Sequence, residues 1–371
     1  MKYFVLAGEA SGDKQASLLC EAIYEQDVNA KIAGWGGEEM ISKGVTIKKH
    51  YRELAYMGFV EVVKHLPAIM RNFKACKKEI LEFKPDALVL VDYPGFNLRI
   101  ASWAHKAGLA VFYYISPQLW AWHSSRVHKI KEAVRRMYVI LPFEKEFYAK
   151  YGVNAMYIGH PLAISIRNET LPSVQTKKGQ IALLPGSRKH EVELILPEMI
   201  ALARLTPDFL FHVVAVKHLS QQLYTEIIGD QKNVLIREGN MHQVLRESEA
   251  AIVTSGTATL ETALVGTPQV VVYKGNPFSY QLAKRLIKVP FISLVNLIHG
   301  KKLVPELIQD ECNSIQMLAN LYEILKPDNY TIIREGYKQL SAQLTSGGGP
   351  SAAASDLIAD LHLTIRKDGQ V

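Results

Sequence analysis

Two short runs of small residues, one near each end of the chain, follow apolar segments in the way that a parallel strand hands over to a helix. Gly8-Glu9-Ala10-Ser11-Gly12-Asp13 closes an apolar run at the start, and Ser255-Gly256-Thr257-Ala258-Thr259-Leu260-Glu261 closes another far downstream. At such a junction, unpaired backbone N–H groups and the helix dipole favour an anion or an oxygen-rich ligand. A chain of 371 residues exceeds what one hydrophobic core usually supports. The two junctions therefore predict an α/β fold of two doubly wound Rossmann-like domains facing a central cleft.

The rest of the pattern agrees. Residues 3–7, 87–91, 111–115 and 137–141 are apolar without alternation, as in strands covered on both faces, and helices are expected over 17–24 and 101–107. Residues 161–179 lose periodicity and collect Pro161, Pro172, Ser173, Thr176, Lys177, Lys178 and Gly179, the composition of a linker. A second alternating set follows, with strands over 181–184, 209–216, 234–236, 250–253 and 269–273 and helices over 191–204, 220–227 and 258–265. The expected domains are 1–165 and 180–345. A C-terminal helix and tail, 346–371, follow Gly347-Gly348-Gly349-Pro350, and the C-terminal helices are expected to cross back to the first domain.

Composition narrows the function classes. The apolar start is too short for a signal-peptide core and no run of about 18 apolar residues is present, so a cytoplasmic protein is expected. Cys20, Cys76 and Cys312 are far apart and read as ordinary buried residues. A net charge of +7 favours anionic partners. Nucleic acid is disfavoured, because the basic residues are spread over helices and no binding module is recognisable. The sequence lacks Asp-x-Asp, H-E-x-x-H, a P-loop and a complete G-x-G-x-x-G, which removes support for the metal, zinc, phosphoryl-transfer and dinucleotide chemistries those motifs carry.

Several side chains stand where chemistry is plausible, each beside a plainer reading. Glu9 and Asp13 supply carboxylates to a tight turn, or else Ser11 and Asp13 merely begin a helix. Asp92 ends an apolar strand and can serve as a general base, or it is a turn-forming Asp before Pro94 and Gly95. In Leu184-Pro185-Gly186-Ser187-Arg188 the guanidinium can fork onto a phosphate, or it is a surface Arg beside Glu191. Ser255, Gly256 and Thr257 offer hydroxyls and amides at a helix start, with Glu261 one turn on, placed to accept from a ribose diol. Residues 54–78 interleave apolar and basic side chains across two helices broken at Pro67. Such a stretch suits an anionic membrane surface or an acyl groove, although a core-facing helix pair is commoner. Arg126, Lys129, Lys131, Arg135 and Arg136 read as a second, solvated basic face.

Read together, these blocks resemble the lipid A disaccharide synthase family, inverting glycosyltransferases of the two-domain GT-B architecture. The marks are the motif from Gly8 to Asp13, Met57-Gly58 with Val60-Glu61-Val62, Asp92-Tyr93-Pro94-Gly95-Phe96-Asn97, Ser116-Pro117-Gln118-Leu119-Trp120-Ala121-Trp122, Gly159-His160-Pro161-Leu162, Leu184 to Arg188, Ser255 to Glu261, and Asn296-Leu297. One departure is Lys14-Gln15, where members often carry a His.

The resemblance implies transfer of 2,3-diacylglucosamine from UDP-2,3-diacylglucosamine to 2,3-diacylglucosamine 1-phosphate, giving a β-1,6-linked disaccharide and UDP. It implies an acceptor- and lipid-binding first domain, a UDP-sugar-binding second domain, and no cofactor or metal. Asp92 would be the base, with Glu9 as the alternative or as an acceptor-orienting group. Arg188, Ser255, Gly256 and Thr257 would hold the leaving UDP, Glu261 the ribose, and Asn296 the diphosphate or sugar. Ser11, Asp13, Asn97 and Ser187 complete the expected substrate contacts. A Gram-negative source, peripheral attachment to the anionic inner face of the cytoplasmic membrane and a homodimer are compatible with it. The rivals are another UDP-GlcNAc-using enzyme of similar architecture, an epimerase or the peptidoglycan-precursor transferase, and a non-catalytic binding module.

Overall fold

The computed structural model describes residues 1–54, 66–121, 124–169, 176–276, 280 and 289–368. The chain divides into two compact units, 1–161 with 344–371, and 162–343. Each is built on a parallel sheet. In the first unit the strands are β1 (Lys2–Ala7), β2 (Lys31–Gly36), β3 (Thr46–His50), β4 (Ala87–Val91), β5 (Ala110–Tyr114), β6 (Arg136–Val139) and β7 (Ala155–Tyr157), in the order β3-β2-β1-β4-β5-β6-β7. In the second they are β8 (Lys177–Leu184), β9 (Leu210–Val214), β10 (Val234–Arg237), β11 (Ser248–Thr254), β12 (Gln269–Tyr273) and β13 (Glu306–Ile308), in the order β10-β9-β8-β11-β12-β13. Strand order reverses once in each sheet, between β1 and β4 and between β8 and β11. Ligands of open α/β sheets lie outside the carboxyl ends of strands at such a reversal.

The central strands form where they do because every side chain finds cover. All five residues of β4 are buried, with helices on both faces, so the run needs no polar alternation. The helix Ala10–Gln26 buries Ala16, Leu19, Cys20 and Ile23 against Val5, Ala7 and Val89 on one face, while Phe73, Cys76 and Ile80 pack with Leu88 and Leu90 on the other. All three cysteines are free and buried. Four strands, β2, β3, β7 and β13, escape the apolar-run criterion. β2 carries glycine where a Cβ on Gly34 would sit 1.8 Å from the Val5 carbonyl oxygen, β3 is a polar edge strand, and β7 and β13 are three-residue edges.

The C-terminal segment returns to the first unit. The backbone of 344–349 runs against 158–160, with His160 N–H donating to the Leu344 carbonyl (2.8 Å) and Gly349 N–H to that of Ile158 (2.8 Å). A Cβ on Gly159 (φ 83°) would meet the Ser346 carbonyl oxygen at 2.3 Å, and one on Gly347 (φ 103°) the Gly159 nitrogen at 2.6 Å, so close approach demands both glycines. The final helix, Gly349–Asp368, then buries Ala353, Ala354, Leu357 and Leu361 beside Leu19 and Ile23. Asp356 accepts from Tyr138 Oη (3.0 Å) and pairs with Arg136 Nε (2.8 Å), and Arg135 pairs with Asp360. Arg135 and Arg136 are therefore clamps for this helix, which corrects their reading as part of a solvated face.

Two other expectations meet the structure. The expected linker contains the helix Pro161–Arg167, begun by a proline whose missing N–H is no loss at that position. In the apolar-plus-basic stretch, 55–65 lie outside the described residues. The helix Leu66–Phe83 has Pro67 in its first turn, Phe73 stacked on Phe96 (4.3 Å between centroids), and Met70 and Leu81 exposed.

Candidate active site at two sheet switch points

At the switch point of the first sheet, Ala7 and Val91 are register partners, so the residues that follow them leave the sheet side by side. Glu9 is the extended residue before the helix Ala10–Gln26, exposed together with Ser11. Asp92 and Tyr93 both adopt left-handed backbone (φ 44° and 47°), which is costly for non-glycine residues and has to be held by its surroundings. The Asp92 carbonyl accepts from Tyr113 Oη (2.6 Å) and from Asn97 Nδ2 (2.9 Å), and Asn97 also donates to the Val91 carbonyl (3.2 Å). The Tyr93 ring lies over Gly8, where a Cβ would come within 2.3 Å of Tyr93 Cδ1. This turn presents the Asp92 carboxyl half-buried. Desolvation first, then the negative charge of Glu9, push its pKa up to about 6, against a smaller opposing effect of the Tyr93 backbone N–H. A carboxylate so tuned is suited to take a proton near neutral pH.

Two polar side chains expected on the ligand side of this unit are engaged inside the protein instead. Asp13, 2% exposed, accepts from the backbone N–H groups of Gly37 (2.7 Å), Glu39 (3.1 Å) and Met40 (3.3 Å), capping the helix Glu38–Ser42. Asn97, 1% exposed, is the staple of the Asp92 turn. In this structure both act as positioning residues, Asp13 through its two carboxylate oxygens and Asn97 through its Nδ2. A carboxylate that sequence reasoning missed holds the neighbouring motif. Glu144 accepts from Ser116 Oγ (2.8 Å), Trp120 Nε1 (3.1 Å) and the N–H groups of Ile140 (3.2 Å) and Leu141 (2.9 Å), while desolvation pushes its pKa up to about 7. Trp122 lies outside the described residues.

At the switch point of the second sheet, a cavity of about 370 Å³ opens between the ends of β8 and β11, lined among others by Ser187, Arg188, Ser255, Gly256, Thr257 and Glu261. The helix Thr257–Val265 starts here with no side-chain cap and no acidic residue in its first turn, leaving the N–H groups of Thr257 and Ala258 without intrahelical acceptors, while that of Thr259 donates to the Gly256 carbonyl (3.2 Å). Among the described residues, and apart from the chain next to Gly256 itself, no atom lies within 4 Å of where a Cβ on Gly256 would sit, so the space there is open. Thr254, also lining the cavity, has a buried hydroxyl with no hydrogen-bond partner among the described residues. No spacing rule flagged it; its place at the end of an apolar strand was the only signal.

The remaining side chains of this unit divide. Arg188 is 73% exposed and pairs with Glu191 (3.1 Å), whose other oxygen accepts from the N–H groups of Ser187 (3.0 Å) and Arg188 (3.1 Å). That turn is already satisfied by an internal carboxylate, while the guanidinium still borders the cavity. Ser255 Oγ donates to the Ile292 carbonyl (3.1 Å). Asn296 is fully buried: Nδ2 donates to the Val304 carbonyl (2.9 Å) and Glu306 (2.8 Å), and Oδ1 accepts from the N–H groups of Leu303 (2.8 Å) and Val304 (3.0 Å). With its amide bonds engaged this way, Asn296, expected to meet the diphosphate or sugar, staples the loop behind Ser255 in this structure. Among the described residues no group of His, Cys, Asp and Glu is arranged to hold a metal ion, and no helix is long and apolar enough to cross a membrane.

Comparison with known proteins follows the same lines. A family model described as lipid-A-disaccharide synthetase matches residues 3–352. The chain is 39% identical to the lipid-A-disaccharide synthase of Trichlorobacter lovleyi over 360 residues, 94% of each chain. It is 38% identical to that of Syntrophus aciditrophicus, covering 98% of each. Among solved structures, the kitacinnamycin glycosyltransferase superposes with a TM-score of 0.67 at 12% identity, over 97% of this chain and 98% of that one. The UDP-GlcNAc 2-epimerase of Neisseria meningitidis does so with 0.59 at 12% identity, over 98% and 100%. At such identities the structural likeness speaks to the fold alone.

Proposed function

Because the chain belongs to the lipid-A-disaccharide synthase family, we propose how its residues divide the work of that glycosyltransfer. It is a glycosyltransferase that forms the lipid A disaccharide. The donor is UDP-2,3-diacylglucosamine and the acceptor 2,3-diacylglucosamine 1-phosphate. In an inverting transfer the acceptor hydroxyl attacks the anomeric carbon opposite the departing UDP, so a base must take its proton while cations and amides receive the diphosphate charge.

Asp92, kept basic by desolvation and then by the charge of Glu9, takes that proton, and Glu9 orients the acceptor together with Ser11. The first turn of the helix Thr257–Val265, with Gly256, Thr257, Ser255 and Arg188, holds the diphosphate, and Ser187 flanks it. Glu261 accepts from the ribose diol. Charge neutralisation by Arg188 and backbone amides makes the transfer independent of metal. Exposed Met70 and Leu81 beside Arg71, Lys74 and Lys78 suit the headgroup region of an anionic inner membrane. A homodimer is compatible with this reading.

The observation that carries the proposal is the second-unit cavity, which unites an uncapped helix N-terminus, open space at Gly256, the Thr254 hydroxyl that has no partner among the described residues, a guanidinium and a carboxylate. The purified protein should release UDP and form disaccharide from the two acylated substrates, only when the acceptor is present and equally with EDTA. UDP release without acceptor, or conversion of UDP-GlcNAc to its epimer, would overturn the reading. The epimerase and peptidoglycan-precursor alternatives find no comparable support, since the epimerase neighbours share fold alone.

A further inference from the structure

His242 stands on the first turn of the helix Met241–Glu247, beside the donor cavity but not among its lining residues. Both of its ring nitrogens face carboxylates: Nδ1 lies 2.8 Å from Glu169 Oε2, and Nε2 lies 2.9 Å from Glu261 Oε2. An ionised carboxylate offers only lone pairs, so two such contacts require both ring nitrogens to donate, and the imidazole is then the doubly protonated cation. The ring is largely buried, and the two carboxylates are themselves mostly covered. Hydrogen bonding to Glu261, first among its influences, and to Glu169 raises the pKa of His242 above its ordinary value, against desolvation.

We propose that His242, held by Glu169, is a positioning residue for the donor nucleotide. It fixes one carboxylate oxygen of Glu261 so that the other is presented to the ribose hydroxyls. Among the described residues, Glu261 Oε1 receives no hydrogen bond from protein, while Oε2 is engaged by His242, so the two oxygens have separate tasks. The cation also offsets a negative charge that would otherwise stand beside the incoming diphosphate, in a helix whose first turn has no acidic residue and whose first carboxylate is Glu261. Glu169 closes the relay from the far side of the ring, fixing its orientation and protonation in the way a second carboxylate does for a catalytic histidine.

The inference rests on the reading of Glu261 as the ribose contact, and one set of titrations separates the two. The ratio of dissociation constants for the dideoxyribose analogue of UDP and for UDP itself measures what the diol contributes. Wild-type protein should favour UDP by about tenfold or more, the scale of one charge-assisted hydrogen bond. His242→Ala should cut that preference to roughly twofold, mainly by weakening UDP, and raise the donor KM more than it lowers kcat. Glu169→Gln, a gentler change that keeps the volume, should produce a partial loss.

In a Glu261→Gln background, adding His242→Ala should change the ratio no further, since the coupled group is gone. If wild type does not distinguish the two nucleotides, the reading of Glu261 fails, and the inference with it. If wild type does distinguish them and the His242 and Glu169 variants distinguish them equally well, the reading of Glu261 stands and His242 has no positioning role. Equal weakening of both nucleotides, with the ratio preserved, also refutes it, as that is what a merely structural loss would give.

Discussion

Replacing Asp92 by Asn separates its catalytic use from its cost to the fold. Desolvation and the Glu9 charge lift the carboxyl from 3.8 to about 6. At pH 7 roughly nine-tenths of the groups are then ionised and at pH 5 roughly one-tenth, so kcat/KM should fall about tenfold per unit as pH drops below 6. The Asn variant has no proton acceptor there and should lose about 10²- to 10⁴-fold in turnover while binding UDP nearly normally. Stability should move the opposite way. Because the folded pKa is the higher one, the folded protein holds the extra proton between about pH 4 and 6, and stability contributed by this group is lost as pH rises through that window. At pH 7 the ionised carboxyl therefore costs the fold up to about 3 kcal/mol, from the displacement of 3.8 to about 6. Asn removes the charge but leaves the Asn97 and Tyr113 bonds to the backbone carbonyl untouched. The variant should unfold at higher urea concentration than wild type at pH 7 and at the same concentration at pH 4. A UDP-release assay from pH 5 to 8 and urea titrations at both pH values measure the two effects. Near-normal turnover of Asp92→Asn would pass the base role to Glu9, and an unchanged urea midpoint at pH 7 would refute the buried, electrostatically opposed carboxylate.

Three further outcomes follow from single contacts. Gly8→Ala places a methyl within 2.3 Å of the Tyr93 ring and should displace the Asp92 turn, lowering turnover with a fall in stability of about 1–3 kcal/mol, measurable by thermal melting. Arg188→Ala should reduce kcat/KM for the donor by about tenfold, at the low end for loss of a charge-stabilising group because the side chain is exposed and shared with Glu191; an unaltered value in steady-state kinetics would remove Arg188 from the diphosphate site. Glu144→Ala leaves four donors, from Ser116, Trp120, Ile140 and Leu141, without their acceptor and should destabilise by about 3 kcal/mol, with a change in Trp120 fluorescence. Gln should rescue it only in part, since its single oxygen replaces two.

From sequence alone, the central strands and the two strand-to-helix junctions were legible. A run such as 87–91, buried on both faces, has to be apolar throughout, and a turn that exposes backbone N–H groups to an anion has to be small. The places of Asp92 and Arg188, just beyond the ends of β4 and β8, were legible for the same reason. What the polar side chains of the site do was decided by tertiary structure. Asp13, Asn97 and Asn296 are the residue types that a substrate contact would also require, and only their burial against backbone groups makes them staples. Arg135 and Arg136 lie more than two hundred residues before the helix they clamp, and His242 joins carboxylates 73 and 19 residues away. Local periodicity records which face of an element meets water; it carries no information about pairs that only the folded chain brings together.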